Sequence, residues 1–182
     1  MPWITALALG YVSVTYFMFG FKSDASVFFE YWFGHVLIGI YFSTLAQFYA
    51  PLLPSPAVAS ILAGVTTSFV ILFSGVFLSV SDLRGNAAGL GWAFMYYLDG
   101  LAHILRLEAL PVFFCAGADC PTVNIVAPDG TQQQLFTYDY VSGRLGMTYE
   151  RRWEALGWTV LIIAFFRVLS ILAYRKVNHT RR

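Results

Sequence analysis

The sequence predicts an all-α polytopic membrane protein, with four transmembrane helices and a large external loop between the third and the fourth. Apolar residues make up 58% of the 182 residues and charged residues only 12%, about half the charged share of soluble domains. Between residues 31 and 81 the chain carries no Asp, Glu, Lys or Arg. Uncharged runs of this length are typical of bilayer-crossing segments, and a net charge of +1 gives no reason to expect a nucleic-acid partner.

Four stretches are long enough to cross a hydrocarbon core. A core of about 30 Å takes about 20 apolar residues in a helix. The predicted spans cover about residues 3–21, 27–50, 57–80 and 155–174 of a single domain, 1–182. After the second span, the sequence PLLPSP is expected to form a tight turn between antiparallel neighbours.

Basic residues determine the predicted orientation. The last sixteen residues contain no acid and five cations, Arg167, Arg175, Lys176, Arg181 and Arg182. By the positive-inside rule, the C-terminus is expected in the cytosol. Counting back through four spans then puts the N-terminus in the cytosol and the loop over residues 81–152 outside.

A further apolar stretch, residues 85–105, competes as a fifth span. It holds Asp99 and His103 in its second half, and an acid at mid-helix costs about 2.5–3.5 kcal/mol on insertion scales. Its apolar part, residues 90–98, is too short to cross. We therefore predict a re-entrant or interfacial helix in the external loop, since a crossing would reverse the first three spans.

The predicted external loop holds both cysteines, Cys115 and Cys120. Four residues that include Gly117 separate them, enough for the backbone to turn and bring the two Cα atoms within about 7 Å. In an oxidising compartment a disulfide is one interpretation, and two free thiols are the other. The polar segment over residues 122–140 is expected to form a small external cap.

Sequence motifs for catalysis are absent. The chain has no GxxxxGK[ST] phosphate loop, HExxH, GxSxG or paired CxxC. We therefore expect no catalytic residue and no enzyme activity in this chain by itself. His35, His103 and His179 are too scattered for a metal site, and each is expected to be a packed or interfacial residue.

The third span carries small and hydroxylated residues along one face. Gly64, Thr67, Ser68, Ile71 and Gly75 follow the spacing that puts residues on one side of a helix. Such a stripe either packs closely against another helix or lines an amphipathic cavity. The spacing alone favours packing.

Segments of the first three spans and of the loop resemble G-family ABC transporters. YFMFGFK at residues 16–22, followed by FF at 28–29, resembles the junction of their third and fourth helices. LFSG at 72–75 resembles the outer end of their fifth helix. GW at 91–92 with MYY at 95–97 resembles their re-entrant segment.

The last part of the chain continues the resemblance in register. VF at 112–113 before the cysteines is similar to the external loop of that family. YERRW at 149–153, FRVL at 166–169 and VNH at 177–179 resemble the closing helix of its pleiotropic drug resistance branch. The resemblance thus runs from helix three to helix six of one ABC-2 type transmembrane domain.

The resemblance implies an ATP-driven exporter of amphipathic or lipid-like compounds that works by alternating access. The implied site residues are a substrate pathway on Gly64, Thr67, Ser68 and Ile71, and an apolar gate at Val76 and Phe77. The chain itself is expected to hold no cofactor. ATP and Mg²⁺ are expected in a nucleotide-binding domain, which is missing here together with the first two helices.

The implied partners are the lipid bilayer, the missing helices and nucleotide-binding domains, and a hydrophobic small molecule or lipid. The resemblance implies a multi-pass protein, and we expect it in the plasma membrane. An alternative from another class is a stand-alone four-helix scaffold or receptor whose external cap binds a partner. A truncated product without function is a third interpretation.

Overall fold

The computed structural model describes residues 2–80, 83, 92–115, 120–126 and 132–176. Within them the chain forms helices and one β-hairpin. The helices are α1 Pro2–Met18, α2 Ala25–Leu52, α3 Pro56–Phe73, α4 Ala93–Leu98, α5 Gly100–Phe113, α6 Thr137–Leu145 and α7 Arg152–Lys176. The strands are β1 Thr122–Val126 and β2 Gln132–Phe136. A 3₁₀ turn, Tyr149–Arg151, leads into α7.

Three helices of the described chain are long and apolar enough to cross a membrane. They are α2, α3 and the continuous helical segment Tyr149–Lys176, which contains α7. The first predicted span corresponds to α1, which has 17 residues and rises about 26 Å, less than a typical hydrocarbon core. Three of the predicted spans therefore correspond to helices that are long and apolar enough to cross, and the predicted first span stays a prediction.

The second and third helices meet at the proline-rich turn. α2 continues through Pro51, which lies in its last turn, and ends at Leu52 rather than at residue 50. A proline there removes only one of the last intrahelical hydrogen bonds. Ser55 caps α3 by accepting a hydrogen bond from the Val58 N–H at 3.3 Å. Pro56 occupies the first turn, where its missing N–H has no helical partner to lose.

The third helix is shorter than the sequence predicts. α3 ends at Phe73, not at residue 80, because Gly75 adopts a φ of 93° that helical backbone does not allow. A Cβ at Gly75 would lie 3.0 Å from the Tyr96 ring, so the position also has no room for a side chain. Val76 and Phe77 consequently lie beyond the helix, in a bent segment.

The described part of residues 85–105 forms two helices instead of one. Residues 85–91 lie outside the described residues. Asp99 separates α4 from α5 and caps α5, because its Oδ1 accepts a hydrogen bond from the Leu101 N–H at 2.8 Å. Asp99, the acid that makes a membrane crossing unfavourable, thus also caps the start of α5.

The core of the bundle forms where α5 packs between α2 and α7. Its buried apolar residues are Leu37, Tyr41 and Leu45 of α2, Leu101, Ile104 and Leu107 of α5, and Ile162 of α7. α5 runs antiparallel to α2, since Gly34 meets Glu108 while Tyr41 meets Gly100. The α4–α5 pair therefore reaches about 24 Å along α2, from Ala25 to the level of Tyr41.

Side-chain contacts at both ends show that α2 and α7 run parallel. Near their N-terminal ends, Arg152 Nε lies 3.3 Å from Glu30 Oε2. Toward their C-terminal ends, Arg167 donates a hydrogen bond to the side-chain carbonyl of Gln47. The chain between them therefore returns to the side of the bundle where α2 begins.

A small cap follows α5. Cys115 and Cys120 form a disulfide with their Cα atoms 5.7 Å apart. β1 and β2 pair antiparallel, from Thr122 opposite Phe136 to Val126 opposite Gln132. We predicted only a polar cap here, although β1 alternates exposed residues with the half-buried Val123 and Ile125. β2 is almost entirely exposed and gives no such signal.

Candidate functional site

The stripe on α3 lies on a face that the other helices of the described chain leave uncovered. Gly64, Ser68 and Ile71 are exposed and Thr67 is half-buried. A Cβ added at Gly64 would meet no atom within 4 Å. Only Phe73 is buried in the whole of α3. Within the described chain, therefore, the stripe does not pack against another helix. The spacing alone had favoured such packing.

At its C-terminal end, the stripe lies next to Phe77, one of the two predicted gate residues. Ser68, Ile71, Leu72 and Phe77 line a shallow pocket of about 280 Å³. Val76 and Phe77 are both exposed, at 51% and 63% of their full surface. Gly75, the last member of the stripe in the sequence, is instead buried beyond the helix end.

Arg144 of α6 holds the segment that contains Val76 and Phe77. Its Nη2 donates hydrogen bonds to the Val76 carbonyl at 2.8 Å and to the Phe77 carbonyl at 3.1 Å. These contacts bridge 67 and 68 residues of sequence. Sequence reasoning missed Arg144, since a single arginine in a polar segment carries no signal of what it contacts.

A buried polar network fixes the end of α6 against α4 and α5. Tyr96 donates its hydroxyl hydrogen to the Leu145 carbonyl at 2.6 Å, and Arg106 Nε lies 3.0 Å from both of these oxygens. Arg106 is 2% exposed and its guanidinium lies 4.5 Å from the Tyr96 ring centre. The network ties the cap to the loop helices and, through Gly75 against Tyr96, to the end of α3.

His103 belongs to this network as a neutral imidazole. Burial and the adjacent Arg106 guanidinium lower the pKa of His103 to about 4. The ring nitrogen Nδ1 therefore accepts from Arg106 Nη1 at 3.2 Å, while Nε2 donates to the Tyr97 carbonyl at 2.9 Å. This contact set supports the prediction of a packed histidine.

A second polar pair lies where α2 and α5 cross. His35 Nδ1 is 2.9 Å from Glu108 Oε1, at hydrogen-bond distance but without hydrogen-bond angles. Burial raises the pKa of Glu108. Glu108 fits only because residue 34 is glycine, since a Cβ there would lie 2.1 Å from Glu108 Cγ. The pair was not visible in the sequence because 73 residues separate its members.

Among the described residues, no group of three or more His, Cys, Asp or Glu side chains could hold a metal ion. His35 and His103 have the contacts given above, and His179 lies outside the described residues. The described side chains thus offer apolar surfaces, hydroxyl groups and buried polar contacts, which suit binding and conformational change.

Comparison with known proteins identifies the family. Residues 1–107, more than half of the chain, match the ABC-2 type transporter family. The chain belongs to this family. Its members form the membrane part of ABC transporters, which does not hydrolyse ATP and works with nucleotide-binding domains. The chain is therefore a multi-pass membrane protein and part of a transporter.

Two proteins of Dictyostelium discoideum are similar to this chain at low sequence identity. ABC transporter G family member 2 is 27% identical over 193 aligned positions, which cover 98% of this chain. ABC transporter G family member 3 is 27% identical over 161 positions, which cover 81% of it. The chain spans only 14% and 11% of the lengths of these two relatives.

Proposed function

We propose that this chain is the membrane-spanning part of an ATP-driven exporter of amphipathic or lipid-like compounds, of the pleiotropic drug resistance branch. One observation carries the proposal. In a chain of the ABC-2 family, α3 presents a stripe of small and hydroxylated residues that the rest of the described chain leaves open. A small-residue face leaves space for a solute, and its hydroxyl groups can orient that solute.

The substrate pathway in this proposal follows Gly64, Thr67, Ser68 and Ile71. Ser68 donates its own hydroxyl hydrogen to the Gly64 carbonyl at 3.1 Å, which leaves the oxygen free to accept from a solute. Apolar burial contributes about 25 cal/mol per Å², so a drug-sized solute that buries several hundred Å² gains several kcal/mol relative to water.

Val76 and Phe77 form the gate at the outer end of the pathway. Support comes from the pocket that Phe77 shares with Ser68 and Ile71, because a side chain in contact with the pathway can close it. This apolar plug would open the outer end of the pathway when nucleotide-binding domains, which bind ATP and Mg²⁺, dimerise. This chain supplies the pathway and the gate, and its partners supply the ATP-dependent step.

The proposed topology has four spans, an external loop over residues 81–152 and a cytosolic C-terminus, in the plasma membrane. The parallel direction of α2 and α7 supports this topology. α3 returns the chain to the side of the membrane where α2 begins, and α7 begins on that same side. The loop must therefore begin and end on one side. The α4–α5 pair enters to the level of Tyr41 and returns, which supports a re-entrant segment rather than a fifth span.

The proposal is tested in the transporter assembly that contains this chain, reconstituted into vesicles. The measurement is ATP-dependent uptake of a fluorescent amphiphile. Thr67→Leu is expected to change uptake at least about tenfold, since a bulkier side chain without a hydroxyl group narrows the pathway. Val160→Leu on the exposed face of α7 is the matched control and is expected to leave uptake unchanged.

Two results would contradict the proposal. One is uptake that does not depend on ATP. The other is a Thr67→Leu variant that folds and transports as the Val160→Leu control does. A stand-alone scaffold would give the second result, since there Thr67 would affect only stability or assembly.

A further inference from the structure

A second cavity lies on the side of α3 that faces away from the stripe. Its volume is about 330 Å³ and its walls come from α2, α3, α7 and the tip of the α4–α5 pair. Among the apolar residues of the wall are Leu45, Val65, Phe69, Val70, Phe73 and Phe166.

Helix geometry separates this cavity from the proposed substrate pathway. Successive residues of an α-helix are rotated by about 100°. Val65, Phe69 and Phe73 therefore share one face, and Gly64, Thr67 and Ile71 lie on the face about opposite to it. The cavity is therefore a different site from the pathway, and ligand binding there does not require the transport function.

Asp99 is the only charged residue in the wall of this cavity, and every residue of that wall is described by the structure. Two other polar groups of the wall, the Tyr49 hydroxyl and Thr66 Oγ1, lie 2.9 Å apart and share a hydrogen bond. Asp99 is 6% exposed. Its Oδ1 accepts from the Leu101 N–H, whereas its Oδ2 is buried and makes no hydrogen bond with any described residue.

The Asp99 carboxylate accepts from a backbone N–H but has no cationic partner in this wall. Ionised groups in apolar surroundings are costly unless they are paired, and buried ionisable groups at membrane depth commonly mark a functional site. Burial raises the pKa of Asp99, which is the expected response of a carboxyl group without a cation nearby. A cationic N–H donor is the partner that would stabilise an ionised carboxylate in this position.

We propose that this cavity binds a hydrophobic primary amine, whose ammonium group pairs with Asp99 and whose apolar chain lies between α3 and α7. The rim includes Phe69 and Leu98, which are 56% and 66% exposed. The ligand therefore enters from the apolar phase of the membrane. An uncharged acyl chain would fill the same volume but would leave Asp99 unpaired.

Binding of tritiated decylamine to the full chain in lipid nanodiscs tests the proposal. Specific binding is the part that excess unlabelled decylamine displaces. Asp99→Asn removes the charge but keeps the helix cap, because Asn caps helices as well as Asp does. We expect it to weaken decylamine binding at least about tenfold, which corresponds to about 1.4 kcal/mol. The control Asp139→Asn makes the same change at an exposed position of α6 and is expected to bind as the wild type does.

A second variant tests the volume of the cavity rather than its charge. Val65→Trp would fill the space between the helices while Asp99 stays in place, and we expect it to abolish displaceable binding. N-acetyldecylamine, which cannot carry the charge, is expected to bind wild type and Asp99→Asn alike and weakly. Thermal unfolding of each variant verifies that it is folded.

Three results would overturn the proposal. The first is equal decylamine binding by wild type and folded Asp99→Asn. The second is no effect of Val65→Trp, and the third is no displaceable binding to the wild type. Because the assay contains no nucleotide and measures binding rather than uptake, these results are independent of whether the chain serves in export.

Discussion

Single residues decide how closely the helices of this protein approach one another. Gly34 of α2 is the clearest case, since Glu108 of α5 occupies the space that a side chain would need. Gly157 of α7 shows the opposite situation, because a Cβ there would meet no atom within 4 Å. Two glycines in two helices therefore have different roles, which the sequence alone does not distinguish.

Gly34→Ala is expected to destabilise the protein by roughly 1–3 kcal/mol, the typical effect of overpacking a tight contact. The added Cβ would lie 2.1 Å from Glu108 Cγ, so α2 and α5 would have to move apart. The measurement is the free energy of unfolding in detergent. Gly157→Ala is the control and is expected to be neutral or slightly stabilising, and equal destabilisation of both variants would contradict the packing described here.

The sequence indicated that Asp99 would be unfavourable at the centre of a membrane-crossing helix. It did not reveal that the carboxylate caps α5, because a cap depends on where the backbone bends. It predicted a packed or interfacial His35 but did not reveal that this side chain contacts Glu108. Pairs so distant along the chain become visible only after the helices are placed side by side.

At the scale of elements, the cap helix α6 determines the conformation of the segment after α3. Two carbonyls of that segment accept from one guanidinium, and Gly75 packs on Tyr96 and Leu145. The predicted helix over residues 57–80 was too long for the same reason. Its apolar pattern continues past Phe73, whereas the tertiary contacts favour a bend at Gly75.

Arg144→Met is expected to raise the rate of chymotryptic cleavage after Phe77. Methionine keeps an unbranched side chain but donates no hydrogen bond to Val76 or Phe77, so the segment opens more often. We expect an increase of about tenfold, equivalent to about 1.4 kcal/mol of local stability. Arg151→Met removes an exposed arginine that pairs with Glu154 and is expected to leave this cleavage unchanged. Cleavage of Arg144→Met at the wild-type rate would show that the guanidinium does not hold the segment.

Cysteine pairs test the parallel packing of α2 and α7. A short bismaleimide is expected to cross-link Glu30→Cys with Arg152→Cys, and Gln47→Cys with Arg167→Cys, because these pairs are in contact. The mixed pair Glu30→Cys with Arg167→Cys should stay unlinked, since positions 30 and 47 are about 26 Å apart along α2. Cross-linking of the mixed pair alone would indicate an antiparallel arrangement.

For the molecule as a whole, composition was enough to predict a helical membrane protein, because water-soluble domains rarely contain uncharged runs of about 50 residues. Three of the four predicted spans correspond to helices long and apolar enough to cross a membrane, although α3 is shorter than predicted, and the ABC-2 family is confirmed over residues 1–107. The β-hairpin and the packing of α5 against α2 and α7 were not predicted. The packing of α5 depends on contacts between distant parts of the chain that no local pattern encodes, whereas the hairpin is local and has one strand, β2, that is almost entirely exposed.

The pathway, the gate and the cap have their proposed roles only if the loop over residues 81–152 faces outward, so membrane topology is the property to measure. The direct measurement is labelling of single cysteines by a membrane-impermeant maleimide. Asn124→Cys in β1 and Lys176→Cys at the end of α7 are both exposed in the structure, and the two native cysteines are in a disulfide. In intact cells we expect Asn124→Cys to be labelled and Lys176→Cys to react only after the membrane is permeabilised. Labelling of Lys176→Cys in intact cells, with Asn124→Cys protected, would contradict the account.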